Sequence, residues 1–142
     1  MGEKFSARVS PVVRAALTKW RRPGADLATI ERVQRELGVT LPDDLVAFYL
    51  DTNGLSGEVG ESALELEPVE GISARTDDYD FRELAPDYLL LGTNGGSEGY
   101  ALDRRDGRIV IIPLINPAEA NAILQGSFCQ FFERVAADTQ FD

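Results

Sequence analysis

Histidine is missing from this 142-residue chain, and cysteine, methionine and tryptophan occur once each. Without histidine there is no ordinary general base, no commonest metal ligand and no side chain that titrates near neutrality. The common Ser-His-Asp triads cannot be built, and with one cysteine neither can a zinc site of the usual kind. A single cysteine excludes an internal disulfide and suits a reducing compartment. Cys129 lies in "SFCQFFERVAAD" beside Phe128, Phe131 and Phe132, so it reads as packing rather than as a nucleophile. No apolar run approaches the ~20 residues of a bilayer span. The apolar groups of the N-terminus are broken by Arg8, Arg14 and Lys19, so no secretory signal is visible and a cytoplasmic location is expected. "MGEKFS" fits the loose myristoylation pattern, with Gly2 and Ser6, but one acyl chain anchors only marginally and no membrane partner is expected.

Positive charge is scarce too. The chain holds 14 Lys and Arg against 24 Asp and Glu, a formal net charge of −10. Six of the cations (Lys4, Arg8, Arg14, Lys19, Arg21 and Arg22) fall in the first 22 residues against Glu3 alone, leaving eight cations and 23 carboxylates for the remaining 120 residues. Between Glu58 and Asp87 ten carboxylates face only Arg75 and Arg82. Such a body repels nucleic acid and favours a cationic protein. Glu58, Glu61, Glu65, Glu67, Asp77, Asp78, Asp80 and Glu83 are therefore the candidate partner-binding residues. The same acidic run fails as a calcium loop. Counting from Asp78, the sixth position, which must be glycine, is Glu83. No metal and no cofactor is expected.

The stretch "YLLLGTNGGSEGYALD" has the look of a phosphate loop, with glycines at 92, 95, 96 and 99 after an apolar strand. Its spacing excludes that. A Walker-type loop counted from Gly92 puts Ser97 at the second glycine and Glu98 at the lysine, where a carboxylate would repel phosphate. No two of these glycines stand two apart, as the dinucleotide fingerprint requires. The residues that follow read as strand, Asp106-Gly107 turn and strand, so the loop joins neighbouring strands.

Periodicity supplies the rest. Ser10 and Pro11 suit the cap and first position of a basic N-terminal helix carrying Val13, Leu17 and Trp20. Asp26 caps a second helix with the stripe Leu27, Ile30, Val33 and Leu37, stopped at Gly38. Thr40 and Pro42 open a third, in which Leu45, Phe48 and Tyr49 face inward and Asn53-Gly54 provides the stop. Leu64 and Leu66 alternate with Glu65 and Glu67 in a half-exposed strand, and further strands fit 88–92, 99–103 and 108–114. Residues 73–87 read as a long acidic connection. "NPAE" and "SFCQ" each carry helix-opening signals. The expected order is ααα-ββββ-αα, a single α+β domain over residues 1–142 with a largely antiparallel sheet.

Within this pattern "IERVQRELGVTLPDDLVAFYLDTNGL" resembles the N-terminal signature of the SUKH superfamily in its Knr/Smi-like branch. The matching positions are Ile30, Leu37, Gly38, Leu41, Pro42, Phe48, Asn53 and Gly54. The glycine-rich strand–turn–strand containing Gly95 and Gly96 and the closing "SFCQFFERV" are similar to later parts of the family, so the resemblance covers about residues 26–136. Each matched residue also has a structural explanation, so the motif points to a fold rather than an active site. The resemblance implies a non-enzymatic protein. One implied role is a bacterial immunity protein that neutralises a polymorphic toxin, often a nuclease and hence basic. The other is a regulator of the fungal cell-wall-assembly type.

Overall fold

The computed structural model describes residues 3–141, so the myristoylation-like Gly2 lies outside the described residues. The elements run α1 (Pro11–Trp20), α2 (Leu27–Leu37), α3 (Asp43–Asp51), β1 (Leu55–Val59), β2 (Ser62–Leu66), α4 (Ile72–Asp78), α5 (Phe81–Leu84), β3 (Tyr88–Thr93), β4 (Glu98–Asp103), β5 (Ile109–Pro113), β6 (Ile123–Gly126) and α6 (Phe128–Ala136). The six strands form one antiparallel sheet in the order β1-β2-β3-β4-β5-β6. The class is α+β.

The helix starts follow local chemistry. Ser10 Oγ accepts from the Val13 N–H with Pro11 at the first position of α1, and the Asp26 carboxylate accepts from the Thr29 N–H at the start of α2. Gly38 ends α2 at φ 67°, a conformation in which a side chain is strained. A reciprocal capping box between Ser127 and Gln130 opens α6. At α3 the cap is Pro42 rather than Thr40. The first turn of α3 also serves a neighbour, because the Asp44 carboxylate accepts from the Cys129 N–H at 2.9 Å and so satisfies a free donor at the start of α6.

Three expectations are corrected. The acidic connection at 73–87 is helical, forming α4 and α5. Their apolar positions (Ile72, Phe81 and nearby Ala85) are buried, and the Thr76 hydroxyl donates to Ile72 O while accepting from the Leu90 N–H of β3. "NPAE" opens no α-helix. Asn116 sits at φ 51° instead of the extended backbone of a cap, and after a short 3-10 turn at Glu119–Asn121 the chain joins the sheet as β6. The sheet has six strands instead of four, the additions being β1 and β6.

Apolar cores lie on both faces of the sheet. On one face α1, α2, α3 and α6 deliver Leu17, Ile30, Phe48 and Phe132 against Leu64, Leu91, Tyr100 and Ile111. On the other, Phe81 and Ala85 pack with Leu90, Ala101, Val110 and Ile112. This second cover spans β3, β4 and β5. The outer side of the β1–β2 hairpin stays open, and Ser56, Glu58, Ala63 and Glu65 are exposed there.

In the β3–β4 connection, Gly95 has φ 79°, whereas Gly96 does not have positive φ. A Cβ on Gly96 would meet only Asn94 Oδ1, at 3.4 Å. Gly95→Val is expected to cost roughly 1–2 kcal/mol through backbone strain, and Gly96→Val clearly less. Urea unfolding of the two variants checks this, and equal losses would contradict it.

Candidate protein-interaction surface

The eight candidate carboxylates do not share one loop. Glu58 stands on β1, Glu61 in the β1–β2 turn, Glu65 on β2 and Glu67 just past its end. Asp77 and Asp78 occupy the last turn of α4, Asp80 links α4 to α5 in a left-handed conformation (φ 61°), and Glu83 lies on α5. The structure divides them into a hairpin group and a helical group.

The helical group is answered in part from within, at Asp77 and Asp78. Arg75 reaches Glu67 at 2.5 Å and Asp78 at 3.6 Å, and Arg82 pairs with Asp77 and donates to Ser73 Oγ at 3.3 Å. Nearby, Asn53 donates to Glu70 at 2.6 Å, which holds that carboxyl below its usual pKa. Two arginines that look too few in the sequence therefore stand where they pair with Glu67, Asp77 and Asp78.

The hairpin group is different. Register pairs Ser56 with Glu65, Glu58 with Ala63 and Glu65 with Thr93, so these side chains share the open face of the sheet. Among the described residues Glu65 accepts only a long hydrogen bond, from the Thr93 hydroxyl at 3.4 Å. Among the described residues neither Glu58 nor Glu61 has an ion-pair partner, and both are exposed. Asp80 and Glu83 are also unpaired but sit apart, over the second core.

The buried side of the same hairpin is held by the basic N-terminal helix. A Cβ on Gly57 would come within 2.3 Å of the Trp20 ring, so the missing side chain makes the seat for the indole. Trp20 Nε1–H donates to Glu58 O at 3.2 Å, and the Lys19 ammonium stands 4.9 Å from the ring centre. Other cations of this region also serve the fold. Arg8 pairs with Asp43 at 2.7 Å and Arg21 with Asp51 at 3.1 Å. Sequence reasoning missed Gly57, although Trp20 and a glycine inside a strand are both visible signals.

The glycine-rich loop is closed to phosphate by its own side chains. Gly95 N–H donates to Thr93 Oγ1 at 3.1 Å, while Gly96 N–H and Glu98 N–H donate to Asn94 Oδ1 at 2.9 and 3.2 Å. These are the donors an anion would need. Cys129 is no activated thiol, because burial and the Asp44 carboxylate push its pKa up to about 11. Among the described residues no three His, Cys, Asp or Glu side chains converge as a metal would require, and no helix is long and apolar enough to cross a membrane.

The motif residues join the helical part of the chain to the sheet. Leu37 and Leu41 are buried, Gln34 Oε1 accepts from the Leu41 N–H, and Phe48 is central to the core. Asn53 Oδ1 accepts from the Val69 N–H at 2.8 Å, and Gly54 lies against the backbone of Leu66. Comparison with curated proteins finds no match. The sequence model of the SMI1 / KNR4 family (SUKH-1) does match, over residues 24–134. That span runs from the start of α2 almost to the end of α6 and takes in the whole sheet, and this chain belongs to the SMI1 / KNR4 family, SUKH-1.

Proposed function

We propose that this protein is a non-enzymatic, cytoplasmic immunity protein that neutralises a basic toxin domain, foremost a nuclease, by binding it through the open face of the β1–β2 hairpin. The observation that carries this is the division of the carboxylates. Arginines answer Glu67, Asp77 and Asp78, whereas among the described residues Glu58 and Glu65, exposed on the outer face of the hairpin, and Glu61, exposed in its turn, form no ion pair. Like charges left together oppose folding slightly unless a partner relieves them. A nuclease presents a basic active face because its substrate is anionic, so an acidic surface can compete for it.

Steering by such a surface raises association rates by about 10–10³-fold and is screened by salt. Glu58→Gln, Glu61→Gln and Glu65→Gln together are expected to slow association with a cognate basic toxin domain by roughly tenfold at low salt. The difference should shrink at high salt, with melting nearly unchanged. Asp77→Asn with Asp78→Asn should have the smaller effect, since those charges are already paired. Stopped-flow association of both variants decides it, and equal rates for wild type and the triple variant at low salt would remove the hairpin from the interface. Recovery of several unrelated host proteins in place of one toxin would favour the regulator reading instead.

A further inference from the structure

We propose that Asn94–Gly95 is a self-modifying site, at which the Gly95 nitrogen attacks the Asn94 side chain and converts it to an aspartyl or isoaspartyl residue. Three features of the loop converge on this chemistry. The nucleophile comes from glycine, which lets the backbone approach a neighbouring carbonyl without a side chain in the way, and Gly95 is exposed to water. The electrophile is polarised, because Gly96 N–H at 2.9 Å and Glu98 N–H at 3.2 Å both donate to Asn94 Oδ1. Charge develops on that oxygen as Cγ becomes tetrahedral, and fixed donors aimed at it lower the barrier. The third feature is a proton path. Gly95 N–H donates to Thr93 Oγ1 at 3.1 Å, and the Thr93 hydroxyl donates in turn to the Glu65 carboxylate at 3.4 Å. The direction of both bonds carries a proton away from the attacking nitrogen.

The step balances without any reagent except water. The Gly95 N–Asn94 Cγ bond forms and the Cγ–Nδ2 bond breaks. The proton leaving Gly95 passes through the Thr93 hydroxyl to Glu65 and is returned to the departing nitrogen, which leaves as ammonia. Water then opens the five-membered imide at one of its two carbonyls. One opening yields an aspartyl residue, the other an isoaspartyl residue with a methylene added to the backbone. Either product adds a negative charge at position 94, next to Gly95, whose Cβ position lies 3.7 Å from Glu65 Oε2.

The chain contains its own control. Asn53–Gly54 is the same dipeptide and the Asn53 Oδ1 likewise accepts from a backbone N–H, that of Val69, but the leaving Nδ2 is held by the Glu70 carboxylate. The Gly54 N–H donates to Thr52 O, a carbonyl that can take no proton away, and Gly54 is buried. The folded protein, incubated at constant pH and temperature, is followed by peptide mass analysis and by enzymatic isoaspartate methylation. Asn94 should convert at least about tenfold faster than Asn53, and Thr93→Val or Glu65→Gln should slow it by about tenfold, less than the ~10²-fold of a group acting directly. Thr93→Ser keeps the hydroxyl and should keep the rate, which a merely structural role for Thr93 does not require. Conversion at Asn53 equal to that at Asn94 would overturn the site. An unchanged Asn94 rate in both Thr93→Val and Glu65→Gln, with melting preserved, would overturn the proton path.

Discussion

Phe48→Ala is expected to lose about 3–5 kcal/mol of stability through lost burial and the cavity left behind. The ring is 0 % exposed and sits where three parts of the chain meet. Its centroid lies 5.4 Å from Phe5 in an edge-on arrangement, 5.0 Å from Phe128 and 6.0 Å from Phe132. Phe5 comes from the 3-10 turn that precedes α1, and Phe128 and Phe132 come from α6. Aromatic pairs of this kind add about 0.5–1.5 kcal/mol beyond their area, and rings on separate elements cannot all close onto the vacancy. A typical domain has ~5–15 kcal/mol in total, so the variant should be close to unfolding at physiological temperature. Urea and thermal unfolding measure the loss. A loss below about 1 kcal/mol would mean the cluster repacks around alanine. Phe5 carries a second consequence. Residues 5–17 lie before the family match at 24–134, yet Phe5, Val9, Val13 and Leu17 belong to the main core. The segment before the family region is part of the folded unit.

Gly92→Ala is the second large effect, expected near 3 kcal/mol, the upper end of what overpacking ordinarily costs. A Cβ at Gly92 would stand 2.1 Å from Glu65 O and 2.9 Å from Leu66 Cα. Those are backbone atoms of the neighbouring strand, and no rotamer change can move them aside. The position is sensitive for a further reason. Only Glu65↔Thr93 and Leu66↔Gly92 pair β2 with β3, so this narrow seam joins the acidic hairpin to the rest of the sheet. On its other side β3 already bulges between Leu90 and Gly92 in its pairing with β4. Amide hydrogen exchange should show the Glu67 N–H, which donates to Leu91 O, losing protection before the β4–β5 pair does. Uniform protection with unchanged stability would mean that β2 shifts to admit the methyl group.

Of the four glycines that first suggest a phosphate loop, Gly92 is required by a close strand and Gly95 by a left-handed turn, while Gly96 has room for a side chain. Spacing alone was enough to dismiss phosphate, because Glu98 stands where the lysine must be. It could not distinguish the glycines from one another, since Gly92 and Gly95 face β2, nearly thirty residues earlier in the chain, Gly99 faces Leu90 and Leu114, and Gly96 meets only Asn94.

What the amino-acid order determined by itself is whatever depends on neighbours within a few positions. Ser10, Asp26 and Ser127 cap helices through contacts of three residues, and Gly38 terminates α2. The alternation of Leu64 and Leu66 with Glu65 marks a strand, and the Leu41-Pro42 to Asn53-Gly54 run identifies the family. The tertiary structure decided the remainder. The strand β1 (LSGEV) has little intrinsic preference for a sheet and forms because all five residues pair with β2 and Gly57 receives Trp20. The helices α4 and α5 are too short to show a stripe in a polar stretch. Tertiary contacts hold them, α4 through Ile72 in the main core and the Thr76 hydroxyl on the Leu90 N–H, α5 through Phe81 on the sheet's second face, and no window of that stretch reveals either. The pairing of charges depends on the fold in the same way. A count of charges along the chain treats ten carboxylates alike, whereas folding brings Arg75 and Arg82 to Glu67, Asp77 and Asp78 and, among the described residues, no cation into an ion pair with Glu58, Glu61, Glu65, Asp80 or Glu83, because Coulomb interactions depend on distance in space rather than along the chain.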